Sequence, residues 1–268
     1  MQRILVTGAA GGIGTLMRPR LRRDGRVLRL LDVAGLPEPE PGEPVELVAA
    51  SVTDAAAMTE ACKDVDAVIH LGGFSRENTW PNILSTNIDG THTVMEAARA
   101  AGVPRVILAS SNHAVGFRRP DEAADGLVPS DCTPRPDTYY GVSKAVVEAL
   151  GSLYHSKYGM DVVCVRIGYC FPKPLDIRAL SFWLSPDDCA RLLEACLAAP
   201  SPGYRIIWGV SANTRCTVSL REAEELGYES LDDAERYADE IAGADGAPLP
   251  NAVGGDWLAH PVGEPNPL

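Results

Sequence analysis

Positive charge is scarce in this chain. It sets 24 Lys and Arg against 36 Asp and Glu, for a formal net charge of −12 over 268 residues. That balance argues against nucleic acid and acidic membrane surfaces as partners. An anionic small molecule would have to find a local cation. No apolar run is long enough to span a bilayer. The seven cysteines, at positions 62, 132, 164, 170, 189, 196 and 216, show no Cys-x-x-Cys spacing. Metal binding is therefore not indicated, and the odd count fits reduced, mostly buried thiols in a cytosol. No signal-peptide pattern precedes the first apolar segment, residues 3–7, and the protein is expected to be cytoplasmic. There is no internal repeat, and the Pro/Glu-rich stretch at 36–44 reads as a surface loop. The remainder, 46% hydrophobic and 22% charged, is ordinary for a soluble globular protein. The length suits one large α/β domain with a small appendage.

What the chain does have is a regular alternation of short apolar strands and amphipathic runs. Residues 3–7 form a strand ending in Thr7-Gly-Ala-Ala-Gly-Gly-Ile-Gly14, and an amphipathic run to position 23 follows. Gly8, Gly11 and Gly14 permit a tight strand-to-helix turn, close approach by a pyrophosphate and close helix–sheet packing. The helix N-terminus then faces the phosphates. The second strand, 27–31, ends at Asp32. An acid there suits the adenosine ribose hydroxyls and repels a 2′-phosphate, which favours NAD over NADP; a capping or turn Asp is the alternative. Asp54, after the third strand at 45–49, suits an adenine amino group, the N-cap of a helix at 55–62, or both. Residues 67–71 are a buried fourth strand in which His70 reads as a core histidine, and Gly72-Gly73 lets the backbone pass close to a cofactor. A long helix at 81–101, a fifth strand at 105–109 running into Ser110-Ser-Asn-His113, and a sixth strand at 161–167 complete the alternation.

This pattern predicts an α/β fold, a Rossmann-like doubly wound parallel sheet. Beyond 167 the pattern changes. Residues 169–184 look irregular and carry Arg178, Ser185 caps a helix to 198, and 205–209 is a short strand. A terminal helix is expected at 231–241, and the Gly/Pro-rich remainder, 242–268, wraps the surface. The division drawn is 1–167, an NAD-binding Rossmann domain carrying the catalytic residues, and 168–268, a small substrate lobe with the C-terminal wrap. Ligands in such sheets bind at strand C-termini. The 8–14 turn, Asp32, Gly72, Ser110 to His113 and Gly168 all fall there.

Tyr140-Gly-Val-Ser-Lys144 lies on the helix before the sixth strand. Four residues apart, a phenol and an ammonium share one helix face. Bringing a tyrosine from its usual pKa near ~10 to neutrality requires roughly 4 kcal/mol of differential stabilisation. Lys144 and an oxidised, cationic nicotinamide would supply it and create a base for an alcohol proton. The plain alternative is a surface Tyr/Lys pair. Only Tyr140, and not the adjacent Tyr139, has the four-residue spacing to Lys144.

The Thr7-Gly-x-x-Gly-x-x-Gly14 and Tyr140-x-x-x-Lys144 motifs together resemble the short-chain dehydrogenase/reductase superfamily, in its extended, epimerase-like branch. More closely, Leu71-Gly-Gly-Phe-Ser75, Ala109-Ser-Ser-Asn-His113, Val165-Arg-Ile-Gly168, Arg178-Ala-Leu-Ser-Phe-Trp183 and Ile207-Trp-Gly-Val-Ser-Ala-Asn213 resemble the uronate dehydrogenases. The resemblance implies NAD-dependent oxidation of glucuronate or galacturonate at C1 to the aldarolactone, with Tyr140, Lys144 and Ser111 catalytic. It implies an NAD site of Gly8, Ala10, Gly11, Gly12, Ile13, Gly14, Asp32, Asp54, Leu71, Gly72, Gly73, Asn87, Ser110, Tyr140, Lys144 and Ile167. It implies a sugar-acid site of Ser75, Ser111, Asn112, His113, Tyr140, Tyr169, Arg178 and Trp257, with Arg178 clamping the carboxylate. Where the resemblance leads one to expect a serine after Arg166-Ile-Gly168, this chain has Tyr169, a departure that bears on sugar preference. By analogy with the superfamily the protein is expected to be a homo-oligomer. Two other readings stand beside this one. A nucleotide-sugar epimerase or dehydratase is disfavoured because little chain is left to hold a second nucleotide. A non-catalytic dinucleotide sensor is disfavoured because it does not need Ser111, Tyr140 and Lys144 together.

Overall fold

A computed structural model describes residues 1–241 and 251–266. Its centre is a seven-stranded, wholly parallel sheet in the order β3-β2-β1-β4-β5-β6-β9. The strands are β1 Gln2–Thr7, β2 Arg26–Asp32, β3 Val45–Ala49, β4 Ala67–His70, β5 Arg105–Ser111, β6 Asp161–Ile167 and β9 Tyr204–Gly209. Strand order reverses between β1 and β4, and ligands of such sheets bind outside the strand C-termini at that switch point. The doubly wound sheet expected from the alternation is present.

Alternating side chains along each strand feed two cores, as a pleated strand with both faces covered requires. Ile4, Val6, Leu28, Leu30, Ile69, Ile107, Val163 and Val165 face Met17 of α1 (Gly12–Arg20) and Leu192, Leu193 and Cys196 of α7 (Pro186–Ala198). Leu5, Leu31, Val68, Val106, Leu108, Val162 and Cys164 face three other helices. These are Met58 on α2 (Ala55–Ala61), Val94 and Met95 on α4 (Gly90–Ala100), and Val147 and Tyr154 on α5 (Tyr139–Tyr158). The first core and the sheet both continue past residue 168, since β9 pairs with β6 and Cys189, Ile207 and Tyr228 share the cluster of Ile4.

The helix expected at 81–101 is continuous but not uniform. It starts as α3 (Trp80–Asn82), passes through a π-helical stretch at Ile83–Asp89, and continues as α4. The wide turn seats Asn87 against the loop after β4, where its amide accepts from Phe74 N at 2.8 Å and donates to Phe74 O at 2.9 Å and to Ser143 Oγ at 3.2 Å. Such bulges mark functional sites in many helices.

Two further segments differ from the sequence expectation. The irregular stretch after β6 contains a pair of two-residue strands, β7 (Tyr169–Cys170) and β8 (Trp183–Leu184), with α6 (Ala179–Phe182) between them. The terminal helix expected at 231–241 is a 3-10 turn at Ala234–Glu240. Its start is held by Asp188, which accepts from Leu231 N and Asp232 N, and by Asn213, which accepts from Ala234 N. Ala234 is buried, and Tyr237, Ala238 and Ile241 pack, partly buried, against Leu180 and Trp183, so the apolar face read from the spacing is present although the turn is 3-10. Residues 242–250 of the expected C-terminal wrap lie outside the described residues. Residues 251–266 do pack over the sheet's C-terminal edge. Val253 N donates to Arg118 O, Gly254 N to Gly116 O, and Asn266 N to Glu77 O.

Candidate active site

The Gly-rich turn delivers what a pyrophosphate needs. Gly8 has φ +70, and a Cβ there would sit 2.7 Å from Gly72 N and Leu71 C, so only glycine lets β1 and the loop after β4 approach. Helix α1 starts at Gly12 with no side-chain cap and no acid in its first turn. The amides of Gly12, Ile13 and Gly14 therefore point outward without an intrahelical acceptor, the arrangement that binds anions. Asp32 closes the other side, accepting from Ala10 N and from Ala34 N, each at 2.9 Å. The Ala10 N–H is thus already engaged by Asp32. Asp54 is the N-cap of α2 and accepts from Ala56 N and Ala57 N at 3.0 Å. The cap alternative is therefore realised, and the second carboxylate oxygen carries none of these bonds. An outward-facing helix N-terminus beside a carboxylate that repels a 2′-phosphate fits NAD.

Helix α5 carries Tyr140 and Lys144 to the end of β5. Thr138 caps it, accepting from Gly141 N at 2.9 Å, and buried Glu77 accepts from Tyr140 N at 2.7 Å and Tyr139 N at 3.2 Å. Its buried stripe runs through Tyr140, Lys144, Val147, Glu148, Gly151 and Tyr154, the spacing of one helix face against a sheet. Farther along that face, Glu148 meets Arg166 of β6 in a fully buried fork, 2.8 Å and 2.9 Å, and accepts from Ser110 Oγ at 2.7 Å. Ser110 therefore serves this ion pair with its side chain, which leaves only its backbone for the expected cofactor contact.

Tyr140, Lys144 and Ser111 all lie within the same buried corner. Lys144 Nζ donates to Ala109 O at 2.7 Å and stands 5.4 Å from the centre of the Tyr140 ring. Burial pushes the Tyr140 phenol up to about 12, with hydrogen bonding from Ser111 opposing it. Burial brings the Lys144 ammonium down to about 8. The expected depression of Tyr140 by Lys144 is thus absent. Desolvation sets the direction, and the ammonium is turned toward a backbone carbonyl.

Around this corner the structure gathers most of the predicted sugar-site residues. Ser111 accepts from His113 N at 3.2 Å, and its hydroxyl donates to Asn112 Oδ1 at 3.3 Å. Asn112 Nδ2 and Arg178 Nη2 both donate to Val253 O. Trp257 stacks on the His113 ring with centroids 4.1 Å apart, and Tyr140 meets His113 edge-on at 5.9 Å. Arg178 lies over the Tyr169 ring at 4.8 Å and donates to the Tyr169 hydroxyl. Ser75 is exposed in the 71–77 loop, and Ile167 ends β6. His70, by contrast, is a core residue as read. Its ring links Thr7 Oγ1 at 2.7 Å and Thr91 Oγ1 at 3.0 Å, and burial brings it down to about 3.

Two functional residues escaped the sequence reading. Asp137 has a fully buried side chain and bonds His113 Nδ1 at 2.7 Å. Because a carboxylate only accepts, Nδ1 carries the hydrogen and Nε2 presents a lone pair. Burial lowers the His113 pKa despite Asp137, so the ring is a neutral acceptor. The other is Glu77, which ties the start of α5 to Gly263 N at 2.7 Å. Neither has a local signature. Their partners lie 24 and 186 positions away.

The sequence profile of the NAD dependent epimerase/dehydratase family matches residues 4–171. A uronate dehydrogenase of Pseudomonas putida is 42% identical, over 93% of this chain and 90% of its own length. An NAD-dependent glucose-6-phosphate dehydrogenase of Haloferax volcanii is 38% identical, over 94% of this chain and 99% of its own. A crystal structure of a mutant uronate dehydrogenase from Agrobacterium tumefaciens complexed with NAD superposes with a TM-score of 0.88 at 38% identity, covering 97% of this chain and 98% of that one. The resemblance carried by the sequence motifs is thereby borne out over nearly the full length.

Proposed function

This chain belongs to the NAD dependent epimerase/dehydratase family, and on that premise we propose that it is an NAD-dependent dehydrogenase oxidising a hexuronic acid at C1. The observation that carries the reading is the meeting, at one strand end, of a Ser111–Tyr140–Lys144 corner with a guanidinium that no described carboxylate pairs. A site of this kind needs an alcohol at one end and an anion at the other.

The sugar acid binds as its cyclic hemiacetal. Arg178 and Tyr169 face its carboxylate, Asn112 and the His113 lone pair meet ring hydroxyls, and Trp257 closes over the ring. Ser111 orients the C1 hydroxyl toward Tyr140, which takes its proton. The Gly12 to Gly14 amides, Asp32 and Lys144 are the residues that hold the cofactor. NAD held there would supply the hydride acceptor for C1 and a positive charge favouring the phenolate of Tyr140, which burial otherwise holds protonated. C1 loses a hydride and its hydroxyl proton, leaving a lactone that water opens to the diacid.

We place the cofactor side and the catalytic residues on 1–167, and give residues 168–268 the part of a substrate lobe that joins Ser111, Asn112 and His113 around the sugar. A cytoplasmic location accords with the seven unpaired thiols, and assembly as a homo-oligomer accords with the superfamily. The test is NADH formation from NAD with glucuronate, galacturonate, glucose and glucose 6-phosphate. Turnover of the uronates is expected, and the Tyr140→Phe variant should lose ~10²–10⁴-fold in kcat while keeping NAD affinity. Substantial activity in that variant would remove Tyr140 as the base.

A further inference from the structure

Arg178 is held without an anion. Its Nη1 donates to the Tyr169 hydroxyl, its Nη2 to Val253 O, and its Nε is buried with no hydrogen-bond partner. Among the described residues no carboxylate forms an ion pair with it. Phe182 and Tyr169 present their rings to the guanidinium at 5.3 Å and 4.8 Å. Five N–H donors in a rigid fork, only two of them engaged, make a receptor for a planar or tetrahedral anion.

Tyr169 changes what that receptor offers. The residue starts β7, directly beyond Gly168 at the end of β6, and pairs with Trp183, so its backbone is fixed by a small parallel ladder. Its oxygen accepts from Arg178, which leaves its own proton to donate. Burial, the largest effect on this phenol, pushes its pKa up, with Arg178 opposing. The hydroxyl therefore keeps that proton at neutral pH and is a donor. It sits on the guanidinium edge that a bidentate carboxylate would otherwise occupy. Val253 O holds another donor, so a simple fork-to-fork clamp is replaced by a mixed one.

We propose that Tyr169 is a specificity-determining residue of this site: its hydroxyl, held by Arg178, donates to the anionic group on C6 of the sugar, and the Tyr169–Arg178 pair is the anion receptor. The inference rests on the proposed C1 oxidation for the placement of the sugar. The receptor itself follows from the Tyr169–Arg178 geometry. A charge-assisted bond from a half-buried phenol discriminates between a substrate that accepts it and one that does not.

The experiment compares the wild-type enzyme with Tyr169→Phe, which keeps the ring and removes only the hydroxyl. Glucuronate, glucose 6-phosphate and glucose are titrated calorimetrically into each protein with NADH bound, and KM and kcat are measured with NAD. The wild-type protein should bind one of the two anions more tightly than glucose. Which one it prefers tells a carboxylate from a phosphate ester. In Tyr169→Phe that preference should fall about tenfold, in Kd and KM alike. The affinity for NADH and the melting temperature are the internal controls on folding. The proposal is overturned if Tyr169→Phe binds the preferred anion as tightly as the wild type, if glucose weakens equally, or if the wild type shows no preference for either anion. A wild type that binds glucuronate selectively but never reduces NAD with it would overturn the oxidation reading and leave the receptor standing. A wild type that oxidises uronates with Tyr169→Phe its equal would do the reverse.

Discussion

Single residues set the polarity of this site. His113 shows it most directly. A free imidazole chooses between tautomers, but Asp137 removes the choice by accepting from Nδ1 at 2.7 Å in a buried pocket. Nε2 is then an acceptor, suited to a sugar hydroxyl. An Asp137→Asn amide can accept or donate at that position and no longer dictates the tautomer. The kcat/KM for uronate should fall about tenfold in this variant, chiefly through KM, with NAD affinity unchanged. Steady-state kinetics at saturating NAD would check the split; a fall confined to kcat would place Asp137 in the chemical step. Tyr140 teaches a complementary lesson. The four-residue spacing to Lys144 was legible, but the balance of burial against charge was not. Desolvation depends on everything packed around the phenol.

At the scale of elements, His70 laces β1, β4 and the helix that follows. Its ring joins Thr7 of β1 to Thr91 of α4 from inside β4, and burial, with the Lys144 charge adding to it, brings its pKa down from 6.5 to about 3. The unfolded chain takes up this proton first as pH falls. Stability is therefore full above pH 6.5 and is lost as pH drops from there toward 3, at about 1.4 kcal/mol per pH unit for one such group. His113, also lowered, adds in the same direction. Melting temperature should fall between pH 7 and pH 5, and His70→Gln, which can still bridge the two threonines, should flatten that fall. An unflattened profile would move the acid sensitivity to His113. The same strand shows what periodicity can deliver: an apolar run containing one histidine reads as core, and it is core. The π-helical stretch at Ile83–Asp89 was not legible, because it depends on Asn87 reaching Phe74 and Ser143 across the fold.

Over the whole molecule, residues 251–266 pack against the candidate site at the end of β5. Gly254 lies against Asp137 so closely that a Cβ would collide with the carboxylate, and it would also stand 3.1 Å from Gly116 O. Next to it, Val253 O gathers Asn112 and Arg178, and Trp257 covers His113. Gly254→Ala should therefore lift this segment and raise the KM for uronate severalfold or more, with NAD affinity unchanged. Equal losses in both would show that the segment supports the sheet as a whole. The resident charge of −12 makes the local cation at Arg178 conspicuous on the same scale, since any sugar acid must reach it through an acidic surface.

The sequence by itself determined the parallel sheet, the phosphate turn, the acid at Asp32 and the Tyr140/Lys144 face. Each is a local matter of strand alternation, glycine placement or helical spacing, and local chemistry is written in consecutive residues. Tertiary structure alone decided that Asp137 orients His113, that Glu77 joins α5 to the C-terminal segment, that Ser110 serves the Glu148–Arg166 pair and that Tyr169 sits in the grasp of Arg178. These pairings depend on which strand ends and loops the fold brings to one edge. Burial then fixes their protonation, and burial is a property of the packed molecule rather than of any stretch of it.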